Sequence, residues 1–167
     1  EGETHIPAPV ESTKPRMLTR KKDIEQVHMC LAFPGVEQDD DALYPISVMN
    51  NLFGGGMSSR LFQRIREEMG AAYSVYSFPS TYTNCGTFTV YAGTSPETAQ
   101  KVADELHNQI RLLRDGGVTQ EEFDMAKEQL KVSYVLGLES SSSRMSAIGR
   151  SKLLRGRAVD PQDVIRK

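Results

Sequence analysis

Apolar and polar residues alternate from Gln26 to Phe33. Val27, Met29, Leu31 and Phe33 fall on one parity, and Gln26, His28, Cys30 and Ala32 on the other. This is the period-two pattern of a half-buried strand, which Pro34-Gly35 ends. The period then changes. After the acidic Asp39-Asp40-Asp41, which offers an N-cap, Leu43, Ile46, Val48, Met49, Leu52 and Phe53 predict a dense apolar helix that stops at Gly54-Gly55-Gly56. Ser58 or Ser59 can cap a second helix with Leu61, Phe62, Ile65 and Met69 on one face and Gly70 at its end. At about 100° per residue, Arg66 lies on the border of that face, whereas Arg60, Arg64 and Glu67 point away.

Ala72 to Phe78 and Gly86 to Ala92 are rich in Tyr, Phe, Val and Thr and predict a β-hairpin closed by residues 82–86. Helices follow. Ser95-Pro96 reads as an N-cap with proline at the first helical position, and Ala99, Val102, Ala103, Leu106, Ile110 and Leu113 keep helical spacing up to Gly116-Gly117. Thr119 and Glu122 have capping-box spacing ahead of a helix reaching about Gly137. Another helix is expected from about Ser142 to Leu154, with a further start at Asp160-Pro161. Strands early and helices late predict an α+β fold, an antiparallel sheet with helices packed on one face. Residues 1–22, with Pro7, Pro9 and Pro15, read as an extended lead-in segment or interdomain linker, and 23–167 as one domain. Three strands make a thin sheet, so the domain is expected to be truncated at its C-terminal end.

Composition narrows the function classes. The 167 residues are 38% hydrophobic and 25% charged, and 20 Lys+Arg against 22 Asp+Glu leave a net charge of -2. That balance suits a globular domain and gives no global attraction to nucleic acid or an anionic membrane. No apolar run approaches the ~20 residues that span a bilayer, and no signal peptide is visible. Cys30 and Cys85 are far apart without a CxxC pair, so both read as small buried hydrophobes in a reducing compartment. His5, His28 and His107 have no metal-ligand spacing, and no metal site is expected in this chain. His28 and Cys30 share a strand face and read as core or interface packing, while His107 reads as a solvated polar-face residue. The serine run 140–143 lacks a His/Asp partner pattern and reads as a helix cap.

Two places can carry chemistry. The loop Gly54-Gly55-Gly56-Met57-Ser58-Ser59 leads into a helix N-terminus, where free N–H groups suit an anion or a peptide carbonyl, although neither a P-loop nor a GxGxxG pattern is present. A plain helix-to-helix link is the competing reading. Arg66 and Tyr73 flank the tight Met69-Gly70-Ala71 turn. Held together, a guanidinium and a phenol can bind a peptide carbonyl or stabilise a developing oxyanion. The competing reading is a packed tyrosine and an arginine paired with Glu67, Glu68 or another carboxylate.

The text itself is more specific than these periodicities. Leu52-Phe53-Gly-Gly-Gly-Met-Ser-Ser-Arg-Leu-Phe62, Ile65-Arg66-Glu67-Glu68 and Ala72-Tyr73-Ser74 occur in order with Gln26-Val27-His28, Phe33-Pro34-Gly35, Gly86-Thr87-Phe88 and Tyr91-Ala92-Gly93-Thr94. Glu121-Glu122, Ala126-Lys127 and Leu138-Glu139-Ser140 continue the series. Over residues 23–167 this resembles the C-terminal half-domain of the M16 zinc peptidases, the pitrilysin/insulinase and mitochondrial processing peptidase family. The resemblance implies a LuxS/M16 metallopeptidase-like half-domain that is inactive alone. Zinc would be bound by an absent N-terminal half carrying HxxEH, upstream in the same polypeptide or on a partner subunit, with a peptide as substrate. It implies that Arg66 and Tyr73 contact the substrate or oxyanion, and that Gly54, Gly55, Gly56, Ser58 and Ser59 can contribute to substrate binding. A non-catalytic scaffold or partner subunit is the alternative. Self-association of the isolated chain is expected, and bacterial cytoplasm is favoured over the mitochondrial matrix.

Overall fold

The computed structural model describes residues 17, 18, 20 and 23–166; the lead-in segment, with His5, lies largely outside them. Strands β1 (Val27–Pro34), β2 (Ser74–Thr81) and β3 (Gly86–Thr94) form an antiparallel sheet in the order β1-β3-β2. Helix α1 (Leu43–Phe53) and a π-helix (Phe62–Glu68) lie between β1 and β2. Helices α2 (Ala99–Gly116), α3 (Gln120–Gly137), α4 (Ser141–Arg155) and α5 (Pro161–Arg166) follow β3. The fold is α+β, and the predicted hairpin is β2–β3.

Alternation divides the sheet into two faces. Val75, Val90 and Ala92 are buried on one, where they join Phe53, Leu61, Ile65, Val102 and Leu106 in a single core, with Met29 and Leu31 of β1 packed against it. The α2 stripe reaches the sheet through Val102 and Leu106, as its spacing predicts. The other face carries His28, Cys30, Tyr76, Phe78 and Tyr91, of which all but the half-buried Tyr91 are exposed. Cys30 is therefore exposed and Cys85 half-buried, which corrects the expectation of two buried thiols. Parity decides this: Cys30 shares the phase of His28, opposite to Met29 and Leu31.

Three local expectations also change. The segment after the glycine loop is a π-helix, with Met69 N–H donating to Arg64 O five residues back and Ala71 N–H to Ile65 O. Neither Ser58 nor Ser59 caps it. The Ser59 hydroxyl turns back to donate to Gly56 O at 2.6 Å. Helix α2 begins at Ala99 with Thr98 as N-cap, because Thr98 N–H closes a turn onto Ser95 O and uses Ser95-Pro96 ahead of the helix. The capping box at α3 forms as its spacing predicts, with Thr119 and Glu122 satisfying each other's backbone N–H.

Candidate functional site

A cleft of about 230 Å³ opens where the glycine loop, the π-helix and the start of β2 meet, lined by Gly54 to Met57, Phe62, Arg66 and Ser74 to Tyr76. Three features shape it. Ser77 N–H on the outer edge of β2 donates to Gly54 O at 3.0 Å, and the Ser77 hydroxyl donates to Asn50 Oδ1 at 2.8 Å, which clamps the end of α1 to the strand. Gly54 has no room for a side chain, since a Cβ would come 2.6 Å from Ser77 N. Gly56 faces open space.

The π-helix decides where its arginines go. Phe62 and Arg66, four apart on it, come together on the cleft side, whereas Arg64 points away from it. The Arg66 guanidinium carbon lies 4.9 Å from the Phe62 ring centroid, within cation–π range. Arg64 is paired with Glu68 at 2.7 Å and Glu105 at 3.1 Å. Among the described residues Arg66 has no carboxylate partner, so the expected alternative of pairing with Glu67 or Glu68 is not what forms. Arg66 is left as an exposed cation at the cleft.

Tyr73 sits just ahead of β2 and is 62% exposed. Its N–H donates to Gly93 O at 2.8 Å. The turn between the two residues is fixed from both sides. Gly70 takes the left-handed conformation, φ +57°, that glycine permits. The buried Thr94 hydroxyl donates to Ala71 O at 2.5 Å, and Thr98 Oγ1 lies 2.6 Å from Thr94 Oγ1. Tyr73 does not line the cleft, but its neighbour Ser74 does.

Of the loop residues, Gly54, Gly55 and Gly56 line the cleft, whereas Ser58 and Ser59 do not. Ser59 is buried, and Ser58 Oγ lies 3.5 Å from Gln129 Oε1 on α3. Met57, Phe62, Ser74, Val75 and Tyr76 complete the lining, and apart from the position of Phe62 four residues before Arg66, nothing in their spacing along the sequence marks them as site residues. His107 is exposed with Nδ1 3.0 Å from Ala103 O, and among the described residues no group of three His, Cys, Asp or Glu side chains could hold a metal ion.

The loop is also anchored to α3. Arg60 donates to both oxygens of Glu122, at 2.8 and 2.7 Å, and to Gly117 O at 3.0 Å. The Arg60 guanidinium, then the Thr119 N–H, hold the Glu122 carboxyl at about 2, below its ordinary 4.5. A depressed folded-state value stabilises the fold above the unfolded value, and that contribution is lost as pH falls. The stability difference between wild type and Glu122→Gln is therefore expected to close as pH drops from about 4.5 towards about 2. Thermal unfolding across that range checks this, with an amplitude on the order of 1 kcal/mol for a pair this accessible to solvent.

Residues 3–130 match the family described as Peptidase M16 inactive domain. The chain belongs to the M16 peptidase family. It is 43% identical over 148 residues to the uncharacterized zinc protease YmxG of Bacillus subtilis, covering 89% of this chain and 36% of YmxG. It is 40% identical over 141 residues to an uncharacterized zinc protease of Streptomyces coelicolor, covering 84% of this chain and 31% of that protein. Among solved structures, the M16 inactive domain from Pseudomonas fluorescens aligns with a TM-score of 0.76 and 26% identity over 85% of this chain and 34% of the other. This M16 domain thus spans about a third of the length of these relatives. The three-stranded antiparallel sheet with its helices agrees with that neighbour.

Proposed function

We propose that this M16 domain completes the substrate chamber and active site of a zinc metallopeptidase, with Arg66 and Tyr73 contacting the peptide at the bond to be cleaved. The observation that carries the reading is Arg66 itself. It is an exposed guanidinium at a cleft without a carboxylate partner among the described residues, joined by a pinned turn to an exposed phenol seven residues on. In this reading the zinc is bound by a zinc-bearing half, in the same polypeptide or on a partner subunit. The relatives named zinc proteases support a zinc peptidase in the whole protein, and the match to a domain described as inactive supports its needing another half.

In this role Arg66 donates charge-assisted hydrogen bonds to the carbonyl oxygen as negative charge develops on it, and Tyr73 adds a neutral O–H donor. Gly54 to Gly56 contribute only backbone to their part of the cleft wall, which leaves that part open to an extended peptide. The domain alone is expected to be inactive. Combining it with the zinc-bearing half of the same protein should produce peptide cleavage that neither part shows separately. If the combined, zinc-loaded protein cleaves no peptide from a diverse library, the reading fails. We place the protein in the bacterial cytoplasm, of which the relatives support the bacterial part.

The isolated chain should self-associate. Helix α4 has no buried side chain among its described residues, and Met145 and Leu153 are 69% and 85% exposed, with Val132, Val135 and Leu136 of α3 also exposed. An apolar surface of this kind favours association. Light scattering should give a mass that rises with concentration, whereas a monomer across the micromolar range contradicts this.

A further inference from the structure

The open face of the sheet is chemically unusual for a surface turned away from the core. The register assigns twelve positions to it, four on each strand, and none is Asp, Glu, Lys or Arg. A chain that is 25% charged would place about three charges on such a set, and a solvated antiparallel face is ordinarily polar. Instead the face carries ordered aromatic rings. Tyr76 and Tyr91 are cross-strand partners whose rings stack at 4.8 Å and 28°, and the Phe78 ring lies 5.9 Å from Tyr76.

Tyr91 is held in place. A Cβ on Gly93 would meet Tyr91 Oη at 3.1 Å and Cε1 at 3.7 Å, so the phenol lies over the bare backbone of Gly93. Its hydroxyl is 2.6 Å from His28 Nδ1 on β1. Tyr76 and Phe78 remain 44% and 38% exposed. Tyr76 also lines the cleft that holds Arg66, so the aromatic face and the cleft are continuous through one residue. Preorganised rings of this kind bind apolar side chains at little entropic cost.

We propose that Tyr76, Phe78 and Tyr91 form a recognition platform for a large apolar side chain of the bound peptide. This rests on the peptide-binding reading above and adds a selectivity to it. Because Tyr76 borders both the platform and the cleft of Arg66, the side chain read is one close along the peptide to the carbonyl held at Arg66. The occupant is an uncharged stretch of peptide bearing Phe, Leu or a similar residue, because the face carries no Asp, Glu, Lys or Arg to pair with a charge.

The test uses fluorescently labelled, end-blocked heptapeptides of alanine with a single Phe, Leu, Asp or Lys at successive positions, titrated against the whole 167-residue chain by anisotropy. The Phe and Leu peptides should bind at least about 10-fold tighter than the all-alanine peptide, and the Asp and Lys peptides no tighter than it. In Tyr76→Ala and Tyr91→Ala the Phe-to-Ala affinity ratio should fall close to one. Tyr91→Phe, which loses only the bond to His28, should retain most of it. Equal affinity for Phe and Ala peptides, with turnover by the protein that includes its zinc-bearing half still lowered in Arg66→Ala, would overturn the platform while leaving the active-site reading intact. No binding of any peptide would overturn the platform, and wild-type turnover in Arg66→Ala of the protein that includes its zinc-bearing half would overturn the active-site reading as well. If Tyr91→Ala abolishes self-association and leaves peptide preference untouched, the face belongs to a second copy of the chain and the platform is again refuted.

Discussion

In the protein that carries the zinc-bearing half, Arg66→Ala is expected to lower kcat by about 10²–10³-fold, the scale found when a donor to a developing oxyanion is removed. KM should change far less, because the charge that Arg66 meets appears in the transition state and is small in the bound substrate. Arg66→Lys should recover only part of the loss, since an ammonium has the charge but not the planar fork of donors. Tyr73→Phe should cost less, about 10-fold, because a neutral hydroxyl donor makes a weaker bond. Both side chains are exposed, so neither substitution should shift thermal unfolding appreciably. This separates a role in the reaction from a role in the fold. Steady-state kinetics on the purified variants, with unfolding curves alongside, are the required measurements, and wild-type turnover in both Arg66→Ala and Tyr73→Phe would end the assignment.

Gly54→Ala is expected to be the most damaging single change to the cleft's architecture. The added methyl would sit 2.5 Å from Ser77 Oγ and 2.6 Å from Ser77 N. It must push the loop off β2, and it breaks the Ser77 N–H to Gly54 O bond and loosens the Ser77–Asn50 contact. Overpacking with the loss of these bonds amounts to about 3 kcal/mol, or a fall in Tm of about 10 °C for a domain of this size. Gly56→Ala is the matched control. Its added methyl would meet no atom within 4 Å, so its Tm should stay within about 2 °C of wild type. If the two variants unfold together, the clamp between the loop and β2 is not what shapes the cleft.

Much of this arrangement is legible in the residues where one local rule has no rival. The α3 helix starts at its capping box and runs to Gly137 as its pattern predicts, because Thr119 and Glu122 satisfy each other without help from distant residues. The hairpin and the alternation of β1 are equally local. What escapes depends on partners far along the chain. An α-helical step places Arg66 on a border, and the wider turn forms where Gly70, Ala71, Thr94 and Thr98 fix the exit of the helix. Ser95-Pro96 resembles a helix start, but the backbone uses it for the turn that brings Thr98 to Thr94. Residue type alone puts Cys30 inside, although its parity with His28 already assigns it to the open face. In the site, Arg66, Tyr73 and the three glycines stand out in the sequence. Met57, Phe62 and Tyr76 do not, since an aromatic or Met at such spacing is ordinarily core.

The most direct measurement is a photo-crosslink from the position of Tyr73. With p-benzoylphenylalanine in place of Tyr73 in the protein that includes its zinc-bearing half, irradiation with a slowly cleaved peptide should label that peptide. Mass spectrometry should find the label on a residue flanking the bond that is cut. Labelling confined to residues remote from that bond, or none while the peptide is demonstrably bound, would contradict a phenol and guanidinium placed at the reacting carbonyl.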